Sequence, residues 1–283
     1  MREVLAYILI QIHYLIRPKS NGILSIYFHN PSKSLFEKIL KWLVAKGYKF
    51  ISIKELEYYI HQEVDSRKLA FISFDDGWKG NLELIESIEN FKVPITIFIP
   101  TDAVLLGNYW WEYATIIGQT KYSDIKKPSD FKKLQENDFT EKIAILRNAY
   151  KLERSCISLE ELTKISEHEL ITIGSHTITH PILKMCSIET QTRELSESKR
   201  TLSKWLNTDI EYLAYPNGDY DENTIEIAQK CGYKLCFTTV PGRVNTLNVN
   251  PLLIPRYSIY DRGGYFENIS KILGIWQKIF KTK

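Results

Sequence analysis

Short apolar runs alternate with helix-like patterns along most of this chain, which is typical of parallel strands joined by crossover helices. The run Leu69–Phe74 is apolar enough to be a strand that is buried on both faces. About eight such runs alternate with helices, so the pattern favours a (β/α) barrel over an open sheet. The candidate strands are residues 23–28, 49–53, 69–74, 95–99, 171–174, 210–215, 234–238 and 252–257.

One long stretch interrupts this alternation. Residues 101–166 contain no clear strand, so we interpret them as a helical insertion. The insertion includes the cluster Trp110-Trp111-Glu112-Tyr113, whose rings suit either a platform for a sugar ring or packing inside the insertion. We therefore expect one domain over residues 1–283, with this insertion, an N-terminal helix at 1–17 and a C-terminal helix at 264–281.

The composition is that of an ordinary folded protein, with 44% hydrophobic and 25% charged residues. The net charge of +3 is far from the concentrated positive charge of proteins that bind phosphate backbones. We therefore expect no nucleic-acid partner. The four cysteines form no CxxC pair and are predicted to be free thiols.

The apolar run at residues 4–16 is too short to cross a bilayer, and it includes Gln11 and His13. It also lacks the small-residue cleavage site of a secretory signal, so a cytoplasmic enzyme is the expectation. This run, or the stretch 265–280 with lysines near its end, is a candidate for peripheral contact with the inner face of a membrane. Packing of both helices on the protein body is the simpler expectation.

Asp75 and Asp76 follow a buried candidate strand and precede Gly77. In parallel α/β proteins, this end of the strands forms the active face. Two adjacent acids repel each other unless a cation or hydrogen-bond donors offset their charge, so the pair indicates a function. The alternative is an Asp-Gly turn in which one acid caps a helix.

His176 and His180 follow another candidate strand and lie four residues apart. On a helical turn this spacing puts both imidazoles on one side, although a chance pair on a loop is the alternative. With a carboxylate from another strand end they make a set of two nitrogens and one oxygen that leaves a position open for water. Such a set is typical of catalytic zinc, and non-haem iron and other divalent metals accept it too.

Three motifs together resemble a known family: SFDDG at 73–77, SHTITHP at 175–181 and AYPNG at 214–218. They look like the polysaccharide deacetylases of the NodB-homology type, carbohydrate esterase family 4, and the resemblance extends over about residues 23–257. It implies a distorted (β/α) barrel of about seven strands. It also implies removal of N- or O-acetyl groups from sugars with a bound divalent metal.

The resemblance implies a role for each matching residue. Asp76, His176 and His180 would hold the metal, with zinc expected first and iron, cobalt, nickel or manganese left open. Asp75 would be the general base, because a metal lowers the pKa of water from about 15.7 towards about 7 and a nearby carboxylate can then take its proton. The backbone N–H of Asn217 would stabilise the oxyanion.

The sequence departs from the family pattern in two places. Ala214 stands where the family has an arginine that orients the base; we expect Arg256, at the end of the last candidate strand, to fork onto Asp75 instead. An ordinary surface arginine is the alternative. No histidine follows His180 to protonate the leaving amine, so His29 is the candidate acid or substrate contact, or else a structural group.

These observations predict a metal-dependent hydrolase that removes an N-acetyl group from a sugar. The expected location suggests a nucleotide-linked or lipid-linked intermediate of surface polysaccharide or lipopolysaccharide synthesis. Two alternatives stay open: a deformylase of a formamido-sugar, which needs a smaller acyl pocket, and a carbohydrate-binding barrel without turnover. A glycoside hydrolase is disfavoured, because adjacent aspartates do not flank a glycosidic bond at the roughly 5–10 Å required.

Overall fold

Eight parallel strands form one sheet in the part of the chain that the computed structural model describes, residues 2–16, 21–62, 68–117, 128–134 and 136–280. Seven of these strands make a continuous path in the order β7-β6-β5-β4-β3-β1-β8, and β2 pairs beside it with the first half of β3. The strands are β1 (Leu24–Phe28), β2 (Lys49–Ile51), β3 (Leu69–Phe74), β4 (Ile95–Ile99), β5 (Ile171–Ser175), β6 (Tyr212–Ala214), β7 (Leu235–Phe237) and β8 (Tyr257–Ser258).

The sheet closes on itself through the segment that precedes β8. Ile254 bridges to Phe237 of β7, and Tyr257 and Ser258 then pair with β1. The predicted distorted barrel is therefore confirmed. The strand predicted at 252–257 is wrong in its bounds, because Pro255 has no N–H to donate to a neighbouring strand and regular pairing starts only at Tyr257.

Helices cover the outside of the barrel. Ser52 begins one of them with reciprocal hydrogen bonds: its hydroxyl accepts from the Glu55 N–H, and the Glu55 carboxylate accepts from the Ser52 N–H. The helices are α1 (Arg2–Ile16), α2 (Lys33–Ala45), α3 (Ile53–His61), α4 (Ile85–Phe91), α5 (Thr101–Leu106), α6 (Trp110–Ile117), α7 (Pro128–Phe131), α8 (Glu136–Ala149), α9 (Leu159–Ser166), α10 (Ile188–Leu206), α11 (Glu222–Lys230), α12 (Tyr265–Ile272) and α13 (Trp276–Phe280).

Alternating side chains of β3 belong to two different apolar cores. Ile72 and Phe74 pack in the core beneath the helices, whereas Phe71 packs inside the barrel and stacks on Phe237, with 5.2 Å between ring centroids. Ser73 is the next residue on the inward side. Asp75 then follows in the same register, so the alternation itself delivers a carboxylate to the mouth of the barrel.

Residues 101–166 carry α5 to α9, and α6, α7 and α8 share a small apolar cluster around Trp110 and Phe131. The C-terminal stretch forms two helices where the sequence predicted one over 264–281. Gly274 adopts a φ of +69°, which interrupts the helix between α12 and α13. The four cysteines are free, as predicted. No helix among the described residues is long and apolar enough to cross a membrane.

Candidate active site

The carboxyl ends of the strands surround a cavity of about 740 Å³ at the mouth of the barrel. It receives residues from the ends of β1, β3 and β5 and from the loop after β6. All but one of the predicted site residues line it, and the exception, Arg256, is fully buried at the barrel mouth. The predicted residues in the lining are His29, Asp75, Asp76, His176, His180 and Asn217.

Asp76, His176 and His180 form a buried cluster in this cavity. Oδ1 of Asp76 lies 3.5 Å from Nε2 of His176 and 3.6 Å from Nε2 of His180, and the three ligand atoms all lie within 4.8 Å of one another. Tetrahedral bonds of about 2.1 Å put neighbouring ligand atoms about 3.4 Å apart, so this spacing suits one small divalent cation. The donor set and its geometry therefore fit the metal that the family resemblance implies.

Hydrogen bonds orient two of these side chains. Nδ1 of His176 lies 2.7 Å from the carbonyl oxygen of Ala214, an acceptor, so Nδ1 carries the hydrogen and Nε2 presents its lone pair to the cluster. The indole N–H of Trp78 donates to Oδ2 of Asp76 at 3.0 Å, which directs Oδ1 towards the histidines. Ala214 thus contributes a backbone acceptor at the position where the family pattern has an arginine.

The cluster stands on backbone in the left-handed region. Asp76 has a φ of 75°, Thr177 of 69° and His180 of 57°, a conformation that disfavours residues other than glycine. Within the loop, the Thr177 hydroxyl accepts from the His180 N–H at 3.1 Å. Such strain persists only where surrounding contacts determine the conformation.

Glu194 of α10 provides those contacts from outside the loop. Its Oε2 accepts from the N–H groups of Ile178 at 2.8 Å and Thr179 at 3.0 Å, and its Oε1 accepts from the Thr179 hydroxyl at 2.8 Å. Sequence reasoning missed Glu194. The signal available in the sequence was the position of this acid beside Leu195, on the apolar side of a long helix. In the structure Glu194 is buried.

Burial disfavours the charged forms of Asp76 and His180 as long as no cation is bound. Burial raises the pKa of the Asp76 carboxyl above its usual range. Burial, followed by the neighbouring charge of His176, holds the pKa of His180 well below the ordinary histidine value. A neutral imidazole is the form that binds metal, so the environment of His180 suits a ligand.

Arg256 contacts Asp75 through both of its terminal nitrogens, at 2.7 Å and 2.9 Å. The guanidinium also donates to the Ser73 hydroxyl at 3.0 Å and to the Thr238 carbonyl at 3.1 Å, and it lies 4.3 Å from the centre of the Tyr27 ring. Burial alone would raise the pKa of Asp75, but the charge and hydrogen bonds of Arg256 outweigh it and hold that pKa below its usual value. Asp75 is therefore a fixed, ionised carboxylate at neutral pH.

His29 and Asn217 line the cavity from opposite sides of the site. His29 ends the first strand region, with its ring 5.5 Å from the Tyr27 ring and its carbonyl accepting from the Asn81 amide at 2.8 Å. Asn217 adopts a φ of 55°, and its side-chain oxygen accepts from Lys132 of the insertion. The location of both residues is clear, and their catalytic roles remain predictions.

Both tryptophans of the insertion line the cavity, but they differ in burial. Trp110 is buried in the insertion's own cluster, and its indole N–H donates to the His180 carbonyl at 2.9 Å. Trp111 is partly exposed, lines the cavity and stacks on Tyr109 with 4.6 Å between ring centroids. Trp78, Tyr109 and Lys132 were not expected in the site. Tyr109 and Lys132 belong to the insertion, which only the folded chain brings against the barrel mouth.

Comparisons with known proteins agree with the motifs. A family model described as "Polysaccharide deacetylase" matches residues 62–236, more than half of the chain. The Bacillus subtilis protein described as "Putative polysaccharide deacetylase YxkH" is 26% identical over 212 residues, which are 74% of this chain and 59% of that protein. Poly-beta-1,6-N-acetyl-D-glucosamine N-deacetylase of Staphylococcus aureus is 26% identical over 244 residues, which are 86% of this chain and 71% of that protein.

The solved structure of IcaB from Ammonifex degensii has the same fold. It superposes with a TM-score of 0.65 at 19% identity and covers 91% of this chain and 97% of its own. At this level of identity the likeness concerns the fold, and it agrees with the closed parallel barrel described above.

Proposed function

This chain belongs to the polysaccharide deacetylase family, and from that premise we propose that it is a metal-dependent hydrolase that removes an N-acetyl group from a sugar. One observation carries the proposal. Asp76, His176 and His180 converge within 4.8 Å, in the same cavity as Asp75, the ionised carboxylate that Arg256 holds. A metal-ligand set beside a fixed base is an arrangement that supports hydrolysis of an unactivated amide.

The residues divide the chemistry between them. A divalent cation bound by Asp76, His176 and His180 would polarise an acyl carbonyl and lower the pKa of water. Asp75 would accept the proton of the attacking water. Its lowered pKa makes it a weak base, so it depends on that cation to bring the pKa of water within reach. Each carboxylate oxygen of Asp75 accepts one hydrogen bond from Arg256. Each oxygen keeps a further lone pair that can accept the proton of the attacking water.

Two further residues complete the proposed reaction. The backbone N–H of Asn217 would donate to the oxyanion that forms when water adds to the acyl carbon. His29 would protonate the leaving amine, since it lines the same cavity as Asp75. The C–N bond then breaks, which releases the carboxylate of the acyl group and an amino sugar.

The proposed substrate is an acetamido sugar, nucleotide-linked or lipid-linked, in surface polysaccharide or lipopolysaccharide synthesis. The partly exposed ring of Trp111 at the cavity supports a sugar, because a flat aromatic face packs well against one. The name of the Staphylococcus aureus relative, which specifies N-acetyl-D-glucosamine units, supports an acetamido group. The proposed location is the cytoplasm. If a protease added to intact cells digested this protein, that result would contradict the proposed location.

The test is acyl release by metal-free protein that is reloaded with zinc, iron(II), cobalt, nickel or manganese in turn. N-acetylglucosamine oligomers and their N-formyl counterparts serve as substrates, and the Asp76→Asn variant is the control. The proposal predicts acetate release that requires metal and is absent in the control. Release of formate alone would indicate a deformylase. Sugar binding without release of either acid would indicate a barrel that binds carbohydrate without turnover.

A further inference from the structure

Helix α1 exposes apolar side chains on the side that faces away from the protein. Its inner side is already used, because Ala6 and Ile10 are buried where α1 packs along α12. Leu15 is 83% exposed and Val4 is 65% exposed. The exposed aliphatic residues, which we call the α1 face, are Val4, Leu5, Ile8, Ile12, Leu15 and Ile16.

The α1 face is a continuous stripe. Val4, Ile8, Ile12 and Leu15 recur every three or four residues and therefore lie in one row along the helix. A surface helix normally turns charged residues outwards, and a contiguous apolar patch of this kind marks an interaction site. We propose that the α1 face docks the protein on the surface of an anionic lipid bilayer.

The charges around the α1 face favour an anionic lipid surface over a neutral one. Glu3 is the only acid in α1, and its carboxylate accepts from the N–H groups of Phe266 at 3.1 Å and Glu267 at 2.8 Å, at the start of α12. Arg2 in α1 keeps an exposed side chain while it pairs with Glu267 at 3.1 Å, and the exposed Lys278 of α13 lies within electrostatic range of His13 in α1. Interfacial helices combine an apolar face with flanking cations in this way, because the cations attract anionic headgroups.

Helix α13 extends the same surface. Its Trp276 ring lies 5.3 Å from the Arg2 guanidinium and 4.3 Å from the Phe280 ring. Ile279 and Phe280 are themselves exposed. The docking surface therefore includes the end of α13 as well as α1. In the sequence, Arg17 and Lys19 follow the α1 face, and they lie outside the described residues.

Docking on this surface leaves the catalytic cavity open. The Glu3 end of α1 lies at the start of α12. Asp261 precedes α12 by a few residues, and its carboxylate accepts from the N–H of Asn30, next to His29, at 2.8 Å. The other end reaches Tyr14, which contacts Lys46 at the end of α2. Helix α1 runs down the side of the barrel. Docking through α1 would therefore place the barrel on its side, with the opening of the cavity parallel to the membrane surface.

The test is co-sedimentation of the full chain with vesicles of phosphatidylcholine alone or with one third phosphatidylglycerol. We expect binding to the anionic vesicles that weakens as salt is added, and little binding to phosphatidylcholine alone. The triple variant Ile8→Gln, Ile12→Gln, Leu15→Gln should lower the vesicle partition coefficient at least tenfold. These side chains are exposed, so circular dichroism should show an unchanged fold.

A matched control also carries three changes of an exposed aliphatic residue to glutamine, but elsewhere: Leu105→Gln, Ile188→Gln and Leu247→Gln, at residues 52–59% exposed. It should bind vesicles like the wild type. The proposal is wrong if the wild type stays in the supernatant or if both triple variants bind equally well. It is also wrong if the α1 variant only converts a dimer to a monomer in sedimentation velocity. Vesicle binding is measured without metal or substrate, so its failure would leave the proposed deacetylase activity standing.

Discussion

Both terminal nitrogens of Arg256 donate to Asp75, although the two residues lie 181 positions apart in the chain. The arginine comes from the segment that closes the barrel, just before β8, and it lies over Tyr27 at the barrel mouth. Ala214 stands where the family pattern has an arginine. Its backbone carbonyl instead orients the imidazole of His176. In this chain the groups that orient Asp75 and His176 therefore belong to different elements.

Asp75→Asn should keep the metal and lose turnover. Asparagine retains an oxygen that accepts from Arg256, but it cannot take a proton from water, so kcat should fall by roughly 10²- to 10⁴-fold. Elemental analysis of the purified variant and an acetate-release assay measure the two quantities. Loss of the metal, or turnover at the wild-type rate, would assign Asp75 a different role.

Arg256→Lys should shift the pH dependence of kcat/KM. Arg256 holds the pKa of Asp75 low, and a lysine cannot fork onto a carboxylate, so that pKa should rise. Asp75 accepts a proton only when it is ionised, and activity is therefore lost as the pH falls through its pKa. The acid limb of the profile should move to higher pH by about one unit or more.

Arg243→Lys is the matched control for this shift, because Arg243 contacts Tyr48 and the Gly22 carbonyl, away from Asp75. Its acid limb should stay in place. If Arg256→Lys lowered kcat/KM equally at every pH, Arg256 would support the fold without setting the charge of Asp75.

Glu194→Gln should weaken metal binding without touching the metal. The carboxylate accepts three hydrogen bonds from the loop that carries His180. The glutamine side chain replaces one carboxylate oxygen by an N–H₂ group, which cannot accept a hydrogen bond from that loop. We expect a 10- to 100-fold loss of zinc affinity, about the effect of removing an outer contact of a metal site. Competition with a chromophoric chelator measures it. Glu197→Gln, at a partly exposed acid on the same helix that pairs with Arg200, should bind zinc like the wild type.

His29→Asn should impair amides more than activated esters. An amine leaves only after it is protonated, whereas an aryl oxide leaves without a proton. Loss of the general acid therefore slows hydrolysis of the amide but not of the aryl ester. We expect kcat to fall by roughly 10²-fold or more on the acetamido sugar and by much less on an aryl acetate. Equal losses on both substrates would make His29 a substrate contact or a structural group.

Much of the fold was predictable because buried parallel strands leave a strong pattern. The predicted bounds of β3 and β4 agree with the structure, since both are unbroken apolar runs. Predictions were wrong where single residues override a pattern: Pro255 shortens the last strand, and Gly274 divides the last helix. The effect of Pro255 follows from its missing N–H, which the sequence shows, whereas the break at Gly274 depends on the backbone conformation that the folded chain imposes there.

The site was predictable to the extent that its residues follow strands directly. Asp76 and His176 follow the carboxyl ends of β3 and β5, two parallel strands of one sheet with β4 between them, so barrel topology alone brings them to one face. Glu194 and Trp78 act through contacts that the helix and loop make only after folding. The approach of Lys132 to Asn217 had no signal, because spacing does not determine where a long insertion packs.

The most direct test of the account is the metal content per chain of protein that is loaded with zinc and then desalted. The wild type is compared with the double variant His176→Ala, His180→Ala. The account predicts close to one zinc per wild-type chain and almost none in the variant, with both proteins folded by circular dichroism. Wild-type protein that retains no zinc, or a variant that retains as much as the wild type, would contradict a metal centre at Asp76, His176 and His180.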